Sequence, residues 1–112
     1  MSREPFGIDV VLALVPGTDP RAPGGEVTVE LCGHWEHDGP CRWPHNSRLD
    51  TDADPAHLRT VVVAPAEDHA DIARRLEAAL RRDQRWSVLR FAAGVITDDE
   101  QALADRLAAS LS

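Results

Sequence analysis

The stretch RTVVVAPAEDHADIARRLEAALRRD, residues 59–83, decides the fold because it holds a strand and a helix in immediate succession. Its first six residues, RTVVVA, form a short β-branched run that is typical of a buried strand, and Pro65 ends that strand. Apolar residues then recur every four positions, which predicts an amphipathic helix over residues 67–83. These apolar residues are Ile72, Leu76 and Leu80.

The sequence after this helix predicts one more strand and one more helix. Residues 86–92, WSVLRFA, have the composition of a strand. Thr97 and Glu100 then form the Thr-x-x-Glu pattern of a capping box, which begins a last helix that runs to about Leu111. Because a helix joins the strands 59–64 and 86–92, we expect a right-handed crossover in which these two strands are parallel.

Two strands are predicted before this unit. Residues 8–15, IDVVLALV, form a short apolar run that ends at Pro16 and Gly17. Residues 26–34, EVTVELCGH, alternate between apolar and polar side chains, which is typical of a half-buried strand. We expect these two strands to pair as an antiparallel hairpin. The predicted fold is therefore an α/β (α+β) domain, with a mixed four-stranded sheet in the order β-β-β-α-β-α and two helices packed on one face.

The composition predicts a single globular domain over residues 1–112, with a hydrophobic fraction of 43% and a charged fraction of 28%. The net charge of −7 disfavours nucleic acid and anionic membranes as partners, since both are polyanions. No apolar run reaches the roughly 18 residues that span a bilayer, and the N-terminus lacks the pattern of a signal peptide. We expect a cytoplasmic protein, and a homodimer if the apolar first strand lies at a sheet edge.

A long segment without a periodic pattern, at about residues 35–58, separates the second and third predicted strands. Loops of this length in compact domains are more often functional or disordered than neutral. The stretch CGHWEHDGPCRWPH, residues 32–45, leads into this segment and holds both cysteines and three of the five histidines. Any chemistry that the sequence predicts rests on this stretch.

The crowding of cysteine and histidine predicts a transition-metal site, because thiolate and imidazole ligands together suit Zn²⁺. On a strand, Cys32 and His34 would share one face and could both reach one ion. Cys41 and His45 would complete four ligands, with His37 as a substitute. The zinc would have a structural role or would help to bind a ligand or a protein.

Other interpretations of the same residues stay open. Cys41 could act as a nucleophile with a nearby histidine, since Arg42 would lower the pKa of its thiol. A metal with three protein ligands could instead activate a water molecule, with Glu36 as the base. Without any site, Cys32 would be a small buried residue and the histidines ordinary loop residues. The two cysteines could also form a disulfide if the compartment is oxidising.

Three residues of this loop belong to the types that dominate binding surfaces, namely Trp35, Arg42 and Trp43. We therefore expect a protein or small-molecule partner to contact the loop at Trp35 and Trp43. The alternative is that the tryptophans fold back over the sheet and compensate for an aromatic content of only 4%. That alternative is favoured for Trp43, which precedes Pro44.

Overall fold

The computed structural model describes residues 3–32, 43–52 and 55–109. In this part of the chain the elements follow in the order β-α-β-β-α-β-α, and short 3-10 turns at Ala66–Asp68 and Asp98–Glu100 lead into the last two helices. The strands are β1 (Arg3–Leu14), β2 (His45–Asp50), β3 (Ala56–Pro65) and β4 (Trp86–Gly94), and the helices are α1 (Ala22–Cys32), α2 (His69–Arg82) and α3 (Gln101–Ala109).

The four strands form one sheet in the order β2-β3-β1-β4, and every neighbouring pair is antiparallel. β1 lies inside the sheet, where Ile8 is opposite Thr60 of β3 on one side and Ala93 of β4 on the other. β3 and β4 therefore run in the same direction with β1 between them. The order β1-α1-β2-β3-α2-β4 in an antiparallel sheet corresponds to the ferredoxin-like arrangement of two split β-α-β units, to which α3 is added.

The predicted class, a sheet combined with helices, is confirmed, but the predicted element order and the mixed sheet are wrong. Residues 26–32 lie in α1 and do not form a strand. Since β3 and β4 occupy both edges of β1, a strand that followed β1 directly would find no free edge beside it. The alternation of Val27, Val29 and Leu31 is also compatible with a helix, because Val27 and Leu31 are one turn apart and both are buried.

β2 lies inside the segment at about residues 35–58 that was predicted to lack structure. It pairs with β3, with His45 opposite Val62 and Asp50 opposite His57. Its side chains alternate between partly buried and exposed, but two of the three inward residues, His45 and Ser47, are polar. Burial therefore alternates along β2, but the hydropathy of its residues does not.

The main core lies on one face of the sheet. α1 and α2 pack side by side on this face, and the Trp86 indole N–H donates to the carbonyl of Leu80 at 2.9 Å inside the core. The apolar residues that meet there are Phe6, Ile8, Val10 and Leu12 of β1, Val27 and Leu31 of α1, Leu58, Val62 and Ala64 of β3, Ile72, Leu76 and Leu80 of α2, Trp86 of β4, and Trp43 before β2.

The opposite face of the sheet is covered by α3, whose Ala104 packs on Val61 and Val63 of β3. β3 is therefore buried on both faces, which explains why its apolar run shows no alternation. The expectation that the two helices predicted from the sequence share one face is wrong, because those helices are α2 and α3. α2 packs with Val62 and Ala64 of β3, whereas α3 packs with Val61 and Val63. Neighbouring residues of a strand point in opposite directions, so the two helices lie on opposite faces of the sheet.

An ion-pair network attaches the start of α3 to this second face. The Arg59 guanidinium donates to both carboxylate oxygens of Glu100, at 2.8 and 2.6 Å, and lies 3.1 Å from Asp9. The backbone N–H of Thr97 also donates to Glu100, at 2.9 Å, as the capping-box pattern predicts. These hydrogen bonds, chiefly those from Arg59, lower the pKa of Glu100 to about 2. A Cβ at Gly7 would overlap the guanidinium, so the network needs glycine there.

Candidate functional site

The predicted metal loop begins and ends on two elements that the structure describes. Cys32 is the last residue of α1, and His45 is the first residue of β2. Residues 33–42 lie outside the described residues. The predictions for His34, Trp35, Glu36, His37, Cys41 and Arg42 therefore lie outside the described residues as well.

The geometric reason that the sequence offered for the site is wrong. Cys32 and His34 were expected to share a face because they would lie two residues apart on a strand, but Cys32 ends a helix. The structure instead brings α1 into contact with β2. Thr28, which lies four residues before Cys32 in the sequence of α1, contacts His45 of β2.

α1 and β2 lie side by side and antiparallel, which brings the two ends of the loop together. Near the start of α1, a Cβ at Gly24 would lie 3.5 Å from the Cβ of Ser47. One turn later, the Thr28 hydroxyl oxygen lies 3.1 Å from Nε2 of His45. The order of these contacts shows that α1 ends toward the residue at which β2 begins.

His45 is held by a hydrogen bond at each ring nitrogen. Its Nδ1 lies 3.1 Å from the carbonyl oxygen of Trp43, which can only accept. Burial lowers the pKa of His45, and the hydrogen bond to Trp43 opposes that effect only in part. In the neutral ring the proton lies on Nδ1, because the Trp43 carbonyl can only accept, and Nε2 presents its lone pair to Thr28. Metal-ligating histidines have the same arrangement, in which one nitrogen donates to a carbonyl and the other binds the ion.

Polar contacts continue from His45 toward the middle of the sheet. The Ser47 hydroxyl lies 2.9 Å from the hydroxyl of Thr60, which is buried with 1% of its surface exposed. We call the group Gly24, Thr28, His45, Ser47 and Thr60 the polar corner. Its members come from three elements, α1, β2 and β3, so no local pattern in the sequence predicts the group.

A cleft of about 700 Å³ lies beside the polar corner, between α1 and β2. Thr28, His45 and Ser47 line it together with Arg21 and Arg85. Both guanidinium groups already have carboxylate partners, since Arg21 lies 2.9 Å from Asp19 and Arg85 lies 2.6 Å from Asp83. The cleft therefore offers a polar surface on which the positive charge is already paired.

Trp43 does not lie on the surface at which a partner was expected. Only 4% of its surface is exposed, and it belongs to the main core. Its indole N–H donates to Asp68 at 3.3 Å, and the Arg75 guanidinium lies 5.4 Å from the ring centre. This is the position that the packing alternative describes, and a partner could reach the indole only after the core opened.

Within residues 3–32, 43–52 and 55–109, no three histidine, cysteine, aspartate or glutamate side chains are grouped so that they could hold an ion. His45 is the one predicted ligand whose side chain is described. Over the same residues, the chain has no helix that is both long and apolar enough to span a membrane.

Comparison with known proteins gives little further information. No protein-family model and no curated protein matches the sequence. Among solved structures, the chain is similar to part of the "Full extracellular region of zebrafish Gpr126/Adgrg6", with a TM-score of 0.48 and 10% sequence identity. The similarity covers 86% of this chain and 14% of the zebrafish protein.

Proposed function

We propose that this chain binds one transition-metal ion, Zn²⁺ by the chemistry of its ligands, at the edge where α1 ends and β2 begins. The ligands are Cys32, His34, Cys41 and His45, with His37 as a substitute. The contact between α1 and β2 supports the proposal, because Cys32 is the last residue of α1 and His45 is the first residue of β2. The protein is expected in the cytoplasm, where both thiols are reduced and free to ligate.

The state of His45 supports the proposal. Zinc binds only the neutral imidazole, and burial lowers the pKa of His45 so that its neutral form dominates at neutral pH. The hydrogen bond from Nδ1 to the Trp43 carbonyl fixes the ring as a ligand's outer partner would. Ligation through Nε2 requires that Thr28 gives up its hydrogen bond to that nitrogen, and His37 is the ligand if it does not.

The proposed role of the ion is to hold the loop so that a protein or small molecule can contact Trp35 and Arg42. Trp43 is left out of this contact surface because its indole is buried in the core. Four protein ligands would close the coordination sphere, as in structural zinc sites.

Elemental analysis of the protein purified without added metal tests the site directly. We expect about one zinc per chain, and loss of the zinc in both Cys32→Ser and Cys41→Ser, because each variant removes a thiolate ligand of the proposed site. His57→Ala is the matched control, since His57 is exposed at the far end of the β2–β3 pair. It should keep the metal. Wild-type protein that carries no stoichiometric metal would contradict the proposal, and a fast-reacting thiol at Cys41 alone would then favour the nucleophile.

Two further measurements resolve the ligands and the role. His45→Ala and His37→Ala should differ, and the variant that loses zinc identifies the fourth ligand. In the cobalt-substituted protein, azide should leave the visible spectrum unchanged if four protein ligands close the site. A spectrum that responds to azide would indicate an open position and would favour metal-activated water.

A further inference from the structure

We propose that a second copy of this chain binds along the outer edge of β4, so that the two sheets join through antiparallel β4 strands. Over the residues that the structure describes, the outer strands of the sheet are β2 and β4, and each pairs with one neighbour. The sequence predicts a homodimer if β1 lies at a sheet edge, but β1 lies inside the sheet. An edge for a second copy is therefore found at β2 or β4, and neither choice depends on the metal site.

The edge at β2 is protected. β2 has six residues, and the exposed side chains that alternate along it, Asn46, Arg48 and Asp50, are polar or charged. α1 also lies against β2, where Thr28 contacts His45. Short strands, charged side chains and a covering helix are devices by which proteins prevent pairing at a sheet edge. β2 is therefore a poor edge for a second copy.

β4 has nine residues, and exposed apolar side chains lie along it. In the described part of the chain, the exposed large apolar side chains are Val15, Leu89 and Val95, at 49%, 58% and 88%. Val15 donates its backbone N–H at 2.8 Å to the carbonyl of Arg85, the residue before β4. Leu89 lies within β4, and Val95 directly follows it. A partner strand at this edge would bury apolar surface as well as pair the outward backbone groups of β4.

A bulge in β4 accounts for the position of Leu89. Arg90 lies opposite Val11 of β1 and Val88 lies opposite Leu12, so Leu89 has no opposite residue in β1. Bulges often re-aim a side chain, and this one leaves a leucine exposed at the outer strand. From Arg90 onward β4 pairs regularly with β1, so this part of the strand is available for a second regular pairing.

The exposed apolar residues fit an antiparallel pair of β4 strands that is centred on Ala92. Ala92 is the midpoint of Leu89 and Val95, so Leu89 of each copy lies opposite Val95 of the other. A two-fold interface is self-complementary, and this apolar contact therefore occurs twice. In the same register Arg90 lies opposite Gly94, so two like charges are not opposed.

The charges at the two ends of β4 favour the antiparallel direction. Arg85 precedes β4, whereas Asp98 and Asp99 follow it and are exposed. Ala92 is also the midpoint of Arg85 and Asp99, so the proposed pairing brings the basic start of one strand to the acidic end of the other. Arg85 already lies 2.6 Å from Asp83, and a further carboxylate would extend this pair. A parallel pair would bring like charges together, which disfavours association.

Sedimentation of the full chain at concentrations up to about 100 µM tests the proposal. We expect a dimer with twice the chain mass of 12.3 kDa. Leu89→Lys should weaken the dimer by about 100-fold or more, because two-fold symmetry places two lysines in the interface. Val95→Lys should weaken it in the same direction, since Val95 is the other member of the apolar pair. Asn46→Lys adds the same charge at an exposed position of β2, and this matched control should keep the dimer.

Amide hydrogen exchange locates the interface. The amides of Trp86–Gly94 should exchange more slowly as the wild-type dimer forms, whereas those of His45–Asp50 should not respond to protein concentration. Leu89→Lys should abolish the concentration dependence at β4. Its near-ultraviolet circular dichroism should match that of the wild type, because Leu89 is exposed and its replacement leaves the core intact.

A chain that stays monomeric at the highest concentration would overturn the proposal and leave β4 to a strand of a different protein. A dimer that survives both Leu89→Lys and Val95→Lys, or that Asn46→Lys dissociates, would also overturn it, because the interface would then lie away from β4. The metal analysis is independent of these outcomes. A chain that dimerises through β4 but carries no zinc would contradict the proposed function alone.

Discussion

The two helices that cover the main core, α1 and α2, differ in the side chains that they contact. α2 places Ile72, Leu76 and Leu80 on the sheet, and these residues meet apolar partners. α1 also places Val27 and Leu31 in this core, but at the polar corner its Thr28 hydroxyl contacts the His45 imidazole, beside the hydroxyl pair of Ser47 and Thr60. The α2 side is stabilised by buried apolar area, which depends little on direction. The polar corner depends on hydrogen bonds, each of which requires a particular geometry.

The largest expected effect is on the α2 side. Leu76→Ala should lower the free energy of unfolding by about 2–5 kcal/mol, because it removes a side chain that is 1% exposed and leaves a cavity. Urea denaturation monitored by circular dichroism measures the change. Glu77→Ala, on the exposed side of the same helix, is the control and should change the free energy by less than about 1 kcal/mol. A loss as small as that of the control would contradict the contrast between the two helices.

A second prediction concerns the ion pair between Arg59 and Glu100 at the start of α3, whose contribution to stability depends on pH. Arg59 holds the pKa of Glu100 at about 2, below its ordinary value of 4.5, so the unfolded chain takes up this proton at a higher pH than the folded chain. The stabilisation is complete above pH 4.5 and is lost as the pH falls toward about 2. Glu100→Gln should lose about 1–3 kcal/mol at neutral pH.

The measurement for Glu100 is the free energy of unfolding as a function of pH. Glu100→Gln should show a smaller decline than the wild type between pH 4.5 and about 2. Leu76→Ala should keep the wild-type slope, since it removes no charge. Parallel curves for Glu100→Gln and the wild type would show that Arg59 does not hold Glu100 in this way.

A third prediction concerns the hydroxyl pair in the polar corner. Thr60→Val should cost about 1 kcal/mol, because it leaves the Ser47 hydroxyl without its partner at 2.9 Å. The double variant Thr60→Val with Ser47→Ala should recover most of that loss, since neither hydroxyl is then left unpaired. Thermal or urea unfolding of the three variants forms a double-mutant cycle. Additive losses would show that the two hydroxyl groups are not coupled.

The smallest expected effect is a gain. Gly24→Ala should stabilise the chain by about 0.5–1 kcal/mol, because glycine is less favourable than alanine in a helix. The added Cβ would make an ordinary contact with the Cβ of Ser47 at 3.5 Å. Urea unfolding measures the gain. A destabilised variant would show that α1 must approach β2 more closely than this distance allows.

Regular apolar spacing was the part of the fold that the sequence predicted well. β3, α2, β4 and the start of α3 were predicted at nearly their observed positions, because each has an apolar run or a repeat of four residues. The prediction failed where local preference and tertiary context disagree. Residues 26–32 are rich in β-branched residues and still form a helix. Both edges of β1 are paired with β3 and β4, so no edge of β1 is left for another strand.

For the candidate site, only the residue types could be read from the sequence, and their contacts could not. The residue types at 32–45 indicate a metal by their chemistry, and that prediction is independent of whether Cys32 stands on a strand or on a helix. The neighbours of His45 could not be predicted, because Thr28 and His45 are 17 residues apart and meet only when α1 lies along β2.

The sequence by itself determined the class of fold, the helix α2, the doubly buried strand β3 and the capping-box bond between Thr97 and Glu100, because each depends on residues close together in the chain. Only the tertiary structure decided that α1 is a helix, that α2 and α3 lie on opposite faces, and that Thr28 contacts His45. These outcomes depend on which sheet edges and faces are still free, and a local pattern holds no information about that.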